Sequence, residues 1–201
     1  MSTAFPKLVV ASGNPGKLRE LEALLAPFGI EAVAQHALGV PDADEPFPTF
    51  IENALAKARN AARHTGLPAL ADDSGILADA LGGAPGVHSA RFAGEPKSDD
   101  RNNHKLVQLL RATSNHAARY YCVIVVVRRA LDPQPLIAEG QWSGEVLFAP
   151  RGTGGFGYDP YFFVPELGKT AAELPMELKN RISHRGKALT GLIARLCARA
   201  L

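Results

Sequence analysis

The sequence is poor in cysteine and in long apolar runs. Only Cys122 and Cys197 occur among its 201 residues, both in apolar surroundings, which argues against a disulfide framework and favours buried free thiols in a reducing compartment. The apolar run from Tyr121 to Val127 is too short to span a bilayer, and residues 1–11 lack the features of a signal peptide. We therefore expect a cytoplasmic protein.

The chain also lacks an excess of charge of one sign. It carries 22 basic and 20 acidic residues, a formal net charge of +2, and no long run of either sign. A polyanion-binding surface is therefore not indicated, although a local phosphate pocket is compatible with this balance. Internal repeats and low-complexity linkers are absent as well, so the length predicts one domain, or one domain with a small lobe.

The most informative segment that is present runs from Ser12 to Lys17, between an apolar run and a helical pattern. Asn14 is a favoured N-cap residue and Pro15 suits the first helical position, so a helix is predicted to begin here with free backbone N–H groups. Such a helix end attracts anions, and Lys17 adds a positive charge that the helix dipole does not favour. A phosphate is the natural partner; an ordinary capped helix with a surface lysine is the alternative.

Strand and helix patterns alternate along the rest of the chain. Helices are predicted from residue 15 to about 28, 50 to about 66, 99 to about 112, and from near 183 through Cys197. Strands are predicted over residues 8–11, 67–71, 120–127 and 136–148, the third being buried on both faces. A glycine-rich loop is predicted from Gly152 to Pro160. This pattern favours an α/β or α+β domain with a mixed sheet.

Two adjacent carboxylates, Asp72 and Asp73, are predicted to end the strand over residues 67–71. They repel each other and lose hydration unless a cation lies between them and other acids. Mg²⁺ would reduce the repulsion and compensate for the lost hydration. Glu45 lies on a loop that could bring a further oxygen ligand, as could Asp42 or Asp44. A turn or a helix cap is the alternative interpretation of the adjacent aspartates.

Two later segments carry further candidate residues. Around Phe156 the glycines permit close backbone approach and the ring could stack on a flat ligand, although a turn that merely packs an aromatic residue is the alternative. His184 and Arg185 stand at a predicted helix start, where the dipole disfavours cations. The basic candidates for a pocket that holds a highly charged anion are Lys17, Lys57, Lys179, His184 and Arg185.

Six motifs occur in one order along the chain: S-x-N-x-x-K, T-F-x-E-N-A-x-x-K-A, A-D-D-S-G, G-G-A-P-G-x-x-S-A-R, G-T-G-G-F-G-Y-D-P and S-H-R-G-x-A-L. Together they resemble the inosine triphosphate pyrophosphatase family, whose bacterial XTP/dITP diphosphatases hydrolyse non-standard purine nucleoside triphosphates. The resemblance covers residues 8–196 and implies a single domain over residues 1–201. It implies an α/β fold of two lobes with a long central mixed sheet flanked by helices, a nucleotide cleft between the lobes, and a homodimer without a nucleic-acid or membrane partner.

The resemblance also implies roles for individual residues. Asp73 matches the general base, and Glu45 and Asp73 match the Mg²⁺-binding positions, with Asp72 as a second candidate. Lys57 matches a lysine that reaches the phosphates, and Ser74 matches a substrate contact. The positions of the triphosphate loop are Ser12, Gly13, Asn14, Pro15, Gly16 and Lys17. The positions that bind the base are Phe156, Gly157, Tyr158, Asp159, Lys179, His184 and Arg185.

These roles predict a hydrolysis in which water activated by Asp73 attacks the α-phosphorus, while Mg²⁺ and the lysines neutralise the triphosphate. His184 and Arg185 supply donors that suit the 6-oxygen of hypoxanthine or xanthine and are left unpaired against the amino group of adenine. Two alternatives stay open. A related pyrophosphatase for modified pyrimidine nucleotides has no evident need for residues 183–185, and a non-catalytic nucleotide sensor needs neither Asp73 as a base nor a metal.

Overall fold

A seven-stranded mixed sheet is the frame of this computed structural model. The structure describes residues 5–198, and for residues 197 and 198 the backbone alone. The strands are β1 (Lys7–Val10), β2 (Glu31–Ala34), β3 (Ala69–Ala78), β4 (Ala117–Val127), β5 (Leu136–Val146), β6 (Phe162–Val164) and β7 (Lys169–Thr170). The helices are α1 (Pro15–Leu25), α2 (Phe50–Thr65), α3 (Asp99–Leu110), α4 (Met176–Ile182) and α5 (His184–Ala198).

The sheet is parallel at one end and antiparallel at the other. The strand order is β2-β1-β3-β4-β5-β6-β7. β1 pairs in parallel with β2 and β3, which places Val9 opposite Val33 and Ala69. β6 pairs antiparallel with both β5 and β7. β4 lies at the centre and is buried continuously from Cys122 to Val127, as its β-branched sequence predicts. The predicted α/β fold with a mixed sheet is confirmed.

The chain forms two compact units, in agreement with the two lobes that the resemblance implies. Unit 1 contains Met1–Asp73, Cys122–Gly140 and Arg185–Leu201, and unit 2 contains Ser74–Tyr121 and Gln141–His184. The chain therefore passes from one unit to the other inside β3, β4 and β5, and again between His184 and Arg185. None of the helices within residues 5–198 combines the length and the apolar character needed to cross a membrane.

The core of unit 1 is built by α1, α5 and the inner strands. Leu21 and Leu25 of α1 pack in one cluster with Leu189 and Leu192 of α5, and these four side chains are almost completely buried. Burial of such a side chain contributes about 1.5–3 kcal/mol. The predicted stripe on α1 ends sooner than expected, because residues 26–28 form a 3₁₀ turn that leaves Phe28 43% exposed.

The structure tests the prediction of a buried free thiol for one of the two cysteines. Cys122 is a buried free thiol, as predicted. Burial, reinforced by the nearby charge of Asp72, raises its pKa to about 12, so the thiol stays protonated. The same prediction for Cys197 concerns a side chain that lies outside the described residues.

The prediction that the strand ends at Asp72 is wrong. β3 continues to Ala78, so the acidic pair lies inside a strand rather than in a turn or a cap. Gly75 makes this continuation possible, because a side chain at this position would collide with the backbone of Gly86 and the hydroxyl of Ser89. That hydroxyl instead accepts a hydrogen bond from the Ile76 N–H at 3.0 Å.

Local signals located the helix starts well. Asn14, Thr49 and Ser98 each cap the following helix with a side chain that accepts a backbone N–H. Short α4 was not predicted, because its seven residues are too few for an apolar period to stand out. The predicted helix near residue 183 begins at His184 as α5, directly after Ser183 ends α4.

Candidate active site

The Ser12–Lys17 loop has the Asn14 cap and the helical Pro15 that its sequence predicts, but the N–H groups of the first turn are bonded to Asn14 rather than free. The Asn14 side chain accepts hydrogen bonds from the N–H groups of Gly16 at 2.8 Å and Lys17 at 3.1 Å, and Pro15 is the first residue of α1. The Ser12 hydroxyl accepts from the Asn14 N–H at 3.3 Å. The loop is therefore fixed by its own side chains before any ligand is considered.

Gly13 allows a neighbouring segment to pack close to this loop. A side chain here would press against the Asp42 carboxylate and the His36 ring. These two residues are joined to each other at 3.1 Å, and the Gln35 amide also donates to Asp42 at 2.6 Å. The segment from Gln35 to Asp42 thus lies directly against Gly13, and only glycine leaves this approach unobstructed.

Asp72 is the centre of a buried ionic network in unit 1. Its Oδ2 atom accepts from Lys17 Nζ at 3.1 Å and from Arg185 Nε and Nη2 at 3.2 and 3.0 Å. The remaining terminal nitrogen of Arg185 donates to Glu20. Burial alone would raise the pKa of Asp72, but the charges of Lys17 and Arg185 hold it far below its usual range. Asp72 is therefore a permanent anion at neutral pH.

Asp73 faces a different cation from the next position in β3. Lys57, from the buried face of α2, donates to Asp73 Oδ1 at 3.1 Å and to Glu45 Oε1 at 2.9 Å. Asn53, one turn earlier, approaches Asp73 Oδ2 at 3.4 Å. Burial raises the pKa of Asp73, and the Glu45 charge raises it further, against the opposing effect of Lys57 and Lys17. Asp73 is thus a stronger base than an exposed aspartate.

Lys57 stays charged in this setting. Burial lowers its pKa, but the carboxylates of Asp73 and Glu45 together raise it above the ordinary value. The network of unit 1 then holds four carboxylates, those of Glu20, Glu45, Asp72 and Asp73, against three cations, those of Lys17, Lys57 and Arg185. Among these described residues the carboxylates outnumber the cations by one. All four carboxylates offer oxygen atoms as ligands, which is the type of ligand that Mg²⁺ prefers.

A closed metal cage is not part of this arrangement. Among the side chains that the structure describes, those of residues 5–196, His, Cys, Asp and Glu do not gather in threes around a possible metal position. Glu45 and Asp73 come together on one ammonium group instead. An ion held by one or two carboxylates and completed by water and substrate phosphate would fit this donor set.

Unit 2 contains a second cluster, built around Asp159. Its Oδ2 atom accepts from Lys179 Nζ at 2.7 Å and from the Phe156 N–H at 2.9 Å, and its Oδ1 atom accepts from the Tyr120 hydroxyl at 3.2 Å. Lys179 Nζ also lies over the Phe156 ring, 5.0 Å from its centre. The structure therefore brings together Phe156, Asp159 and Lys179, as the predicted base site requires.

The neighbouring predicted residues are fixed by backbone contacts. The Gly157 N–H donates to Asp99 at 2.8 Å, and its carbonyl accepts from Asn103 at 2.9 Å. The Tyr158 hydroxyl donates to the Ser89 carbonyl at 2.7 Å, so this ring lies in the core. Burial raises the pKa of Tyr158, which remains a neutral phenol.

In the structure the side chains of His184 and Arg185 belong to different clusters. The sequence predicts that both donate to the nucleotide base. The His184 ring stacks on Tyr120 in unit 2, with 4.6 Å between ring centres and 8° between planes. The Arg185 guanidinium belongs to unit 1 and is engaged by Asp72 and Glu20. Its role as a donor to the base stays a prediction, and so does the substrate contact of Ser74, the first residue of unit 2.

Sequence reasoning missed several residues that complete these clusters. Glu20 could have been found, because it follows Lys17 by three positions and so lies on the same face of α1. Asn53 could have been found too, since it lies one turn from Lys57 inside a quoted motif. Tyr120 carried no signal beyond its place in an apolar strand, and its partners come from distant parts of the chain.

A family model and named relatives match almost the whole chain. The model of the Ham1 family matches residues 8–195. The dITP/XTP pyrophosphatase of Nitrosomonas europaea is 65% identical over 94% of both chains, and that of Burkholderia pseudomallei is 61% identical over 98% of both.

Solved structures agree in fold. A HAM1 protein from Coxiella burnetii superposes with a TM-score of 0.88 at 47% identity, covering 96% of this chain and 98% of its own. A dITP/XTP pyrophosphatase from Mycobacterium abscessus superposes with a TM-score of 0.71 at 40% identity, covering 93% and 98%.

Proposed function

The chain belongs to the Ham1 family, and we propose that it is a nucleoside triphosphate pyrophosphatase that hydrolyses dITP, XTP and similar non-standard purine nucleotides. The products are the nucleoside monophosphate and pyrophosphate. Relatives that share about two thirds of its residues over almost the whole chain carry this activity in their names. The enzyme is thus a hydrolase of the phosphoanhydride bond that keeps the nucleotide pool free of hypoxanthine and xanthine nucleotides.

The observation that carries the proposal is the pairing of Asp73 with Lys57. A buried carboxylate with a raised pKa is a suitable general base, and an ammonium group 3.1 Å from its oxygen is a suitable ligand for a phosphate. Lys17, in the first turn of α1, adds a second cation at the positive end of the helix dipole. The two lysines can therefore bind phosphate oxygens next to Asp73, the general base that activates water.

The chemical step follows from these groups. Asp73 accepts a proton from water as the water oxygen forms a bond to the α-phosphorus. The bond from this phosphorus to the bridging oxygen breaks, and pyrophosphate leaves with the electron pair. Lys17 and Lys57 bind the oxygens on which negative charge accumulates, and this electrostatic assistance is the main contribution that proteins make to phosphoryl transfer.

Mg²⁺ is the proposed cofactor, with Glu45 and Asp73 as the residues that would hold it. The excess of carboxylates in this network and its all-oxygen donor set support this assignment. When bound, the ion would supply positive charge to the triphosphate and so favour departure of pyrophosphate.

The base of the nucleotide is assigned to unit 2. Phe156 offers a ring face for stacking, and Lys179 and His184 offer donors that match an oxygen at the purine 6 position. Adenine places an amino group there, so buried donors would face another donor without a partner, which is a strong cause of discrimination. Arg185 enters the proposal as the group that neutralises Asp72 and Glu20, with donation to the base as its further predicted role.

A homodimer and a cytoplasmic location complete the proposal. Both rest on the family resemblance, and a nucleotide-pool enzyme has its substrates in the cytoplasm. Sedimentation of the purified chain measures the first, and fractionation of cells that express it measures the second.

Hydrolysis of dITP in water enriched in oxygen-18 tests the reaction itself. We expect dIMP and pyrophosphate in equal amounts, with the label in dIMP, because the water oxygen becomes bonded to the α-phosphorus. Label in pyrophosphate would mean attack at the β-phosphorus, and dIDP with orthophosphate as first products would mean attack at the γ-phosphorus. Either result contradicts the proposal.

The same assay with XTP, dUTP and dATP separates the alternatives. A pyrophosphatase for modified pyrimidine nucleotides would prefer dUTP, and a non-catalytic sensor would bind nucleotides without turnover. We expect rapid turnover of dITP and XTP, slow turnover of dATP, and loss of turnover when the metal is removed by a chelator.

A further inference from the structure

Tyr120 contacts two members of the base cluster, His184 and Asp159, although it is not itself a predicted site residue. It lies in β4 within unit 2 and is almost completely buried. Its ring is stacked on the His184 ring, and its hydroxyl donates to Asp159 Oδ1 at 3.2 Å. One side chain therefore links the imidazole of His184 to the carboxylate that holds Lys179 and Phe156.

The stacked contact restricts the plane of His184. The two rings are 4.6 Å apart at their centres and only 8° from parallel, so rotation of the imidazole out of this plane would press it into the tyrosine ring. The Tyr120 ring is itself packed against the Phe162 ring, with 4.6 Å between ring centres and 51° between planes. The plane in which His184 presents its ring nitrogens is therefore restricted by a ring that is packed in the core.

The hydroxyl contact orients the other partner. Asp159 Oδ1 is engaged by Tyr120, which leaves Oδ2 directed at Lys179 Nζ at 2.7 Å and at the Phe156 N–H at 2.9 Å. A buried hydroxyl needs such a partner, since burying it without one costs free energy. A phenylalanine would fill most of the same volume in the core without this cost. The hydroxyl thus contributes orientation rather than packing.

On the premise of the proposed function, we propose that Tyr120 is a positioning residue for selection of the purine base. It fixes the plane of His184 and the orientation of the Asp159 carboxylate, and thereby holds the donors of His184 and Lys179 in one arrangement. That arrangement matches an accepting oxygen at the purine 6 position and penalises an amino group. Tyr120 touches neither the substrate nor the reacting atoms in this account.

Two substitutions separate the contacts of Tyr120. Tyr120→Phe keeps the stacked ring and removes the hydroxyl, while Tyr120→Leu removes both. Trp142→Phe is the matched control, because Trp142 belongs to the same core and packs against Phe162 but has neither contact with the base cluster. For each variant we would measure kcat and KM for dITP and dATP, and the affinities for IMP and AMP by calorimetry.

The expected result is a graded loss of selectivity. Tyr120→Phe should lower the ratio of kcat/KM for dITP to that for dATP by about three- to tenfold, the effect of one buried hydrogen bond, chiefly through a higher KM for dITP. Tyr120→Leu should lower it further, since loss of an aromatic pair adds about two- to tenfold. Trp142→Phe should leave the ratio unchanged even where it lowers thermal stability.

Several outcomes would overturn the inference. A ratio that is unchanged in Tyr120→Leu, or changed equally in Trp142→Phe, would show that Tyr120 only fills the core. If Tyr120→Leu does not fold, Tyr120→Phe decides alone. A wild type that binds IMP better than AMP but hydrolyses nothing would refute the proposed function, and the binding ratios of the variants would then decide the role of Tyr120. A wild type without preference for IMP would overturn the role as well.

Discussion

The two clusters of candidate residues are built from different interactions. In unit 1 the cluster around Asp72 and Asp73 consists of charges, and its geometry is set by ion pairs among acids, lysines and Arg185. In unit 2 the cluster around Asp159 combines the ion pair with Lys179, a backbone N–H, a hydroxyl and stacked rings. Charges suit phosphate and metal, whereas rings and directed donors suit a flat base. On this difference we base the proposal that the chemical step and base selection depend on separate sets of residues.

His184 and Arg185 show how sharp this separation is. They are neighbours in the chain, yet the His184 ring belongs to the aromatic cluster and the Arg185 guanidinium to the ionic one. Adjacent residues in the first turn of a helix point in directions about 100° apart, which follows from 3.6 residues per turn. Substitutions at the two positions should therefore have different consequences.

The largest effect is expected at the ionic cluster. Asp73→Asn removes the proposed base while keeping the shape of the side chain, so kcat should fall by about two to four orders of magnitude with a modest change in nucleotide affinity. Turnover of dITP under saturating substrate measures this, and binding of a non-hydrolysable analogue measures affinity.

Asp132→Asn is the matched control for that variant. Asp132 is also a buried aspartate of unit 1, but it is bonded to Arg128 and to backbone N–H groups in the turn before β5. Its substitution should affect stability and leave kcat near that of the wild type. Normal turnover in Asp73→Asn together with an inactive Asp72→Asn would place the base on the neighbouring carboxylate.

Many features of the two clusters and of the fold around them can be predicted from the sequence. These are the features that depend on contacts between residues close together in the chain. The Asn14 cap acts within three residues, and the buried strand β4 follows from its own β-branched run. The motifs also identified both clusters by their resemblance to a family. These features depend on neighbours in the chain or on short motifs that can be read from the sequence.

The remaining features depend on contacts between distant positions. Arg185 bonds to Asp72, which is 113 positions away in the sequence, and to Glu20, which is 165 positions away. The spacing of residues along the chain gives no sign of such a pairing. The continuation of β3 beyond Asp72 depends on Ser89, which reaches the Ile76 N–H from another segment. Local sequence suggested a turn at two aspartates, and tertiary contacts made it a strand.

An intermediate effect is expected on stability, and it depends on pH. Asp72→Asn leaves Arg185 and Lys17 without their shared carboxylate, so at pH 7 the free energy of unfolding should fall by about 3–5 kcal/mol. Asp72 has a pKa far below its usual range in the folded state, because Lys17 and Arg185 outweigh the effect of burial. Its contribution is therefore fully present above the unfolded pKa of about 4 and is lost as the pH falls further.

Urea denaturation of wild type and Asp72→Asn between pH 7 and pH 3, with a chelator present, measures this difference. The gap should be constant down to about pH 4 and should shrink below it, by about 1.4 kcal/mol per pH unit. Asp79→Asn is the control, since its pair with Arg119 is exposed and should contribute little at any pH. A gap that does not change with pH would contradict the ionic account of this cluster.

The assignment of phosphate to one cluster and base to the other is tested most directly by two identical substitutions, Lys57→Met and Lys179→Met. Both lysines are buried and each is bonded to a carboxylate, Lys57 to Asp73 in unit 1 and Lys179 to Asp159 in unit 2. The measurement is the ratio of kcat/KM for dITP to that for dATP. Lys57→Met should lower both values alike, because a phosphate ligand does not distinguish bases, and should leave the ratio within about twofold of the wild type. Lys179→Met should reduce the ratio by about tenfold, the effect of one buried donor. A ratio that changes in Lys57→Met and persists in Lys179→Met would contradict the division of roles between the two clusters.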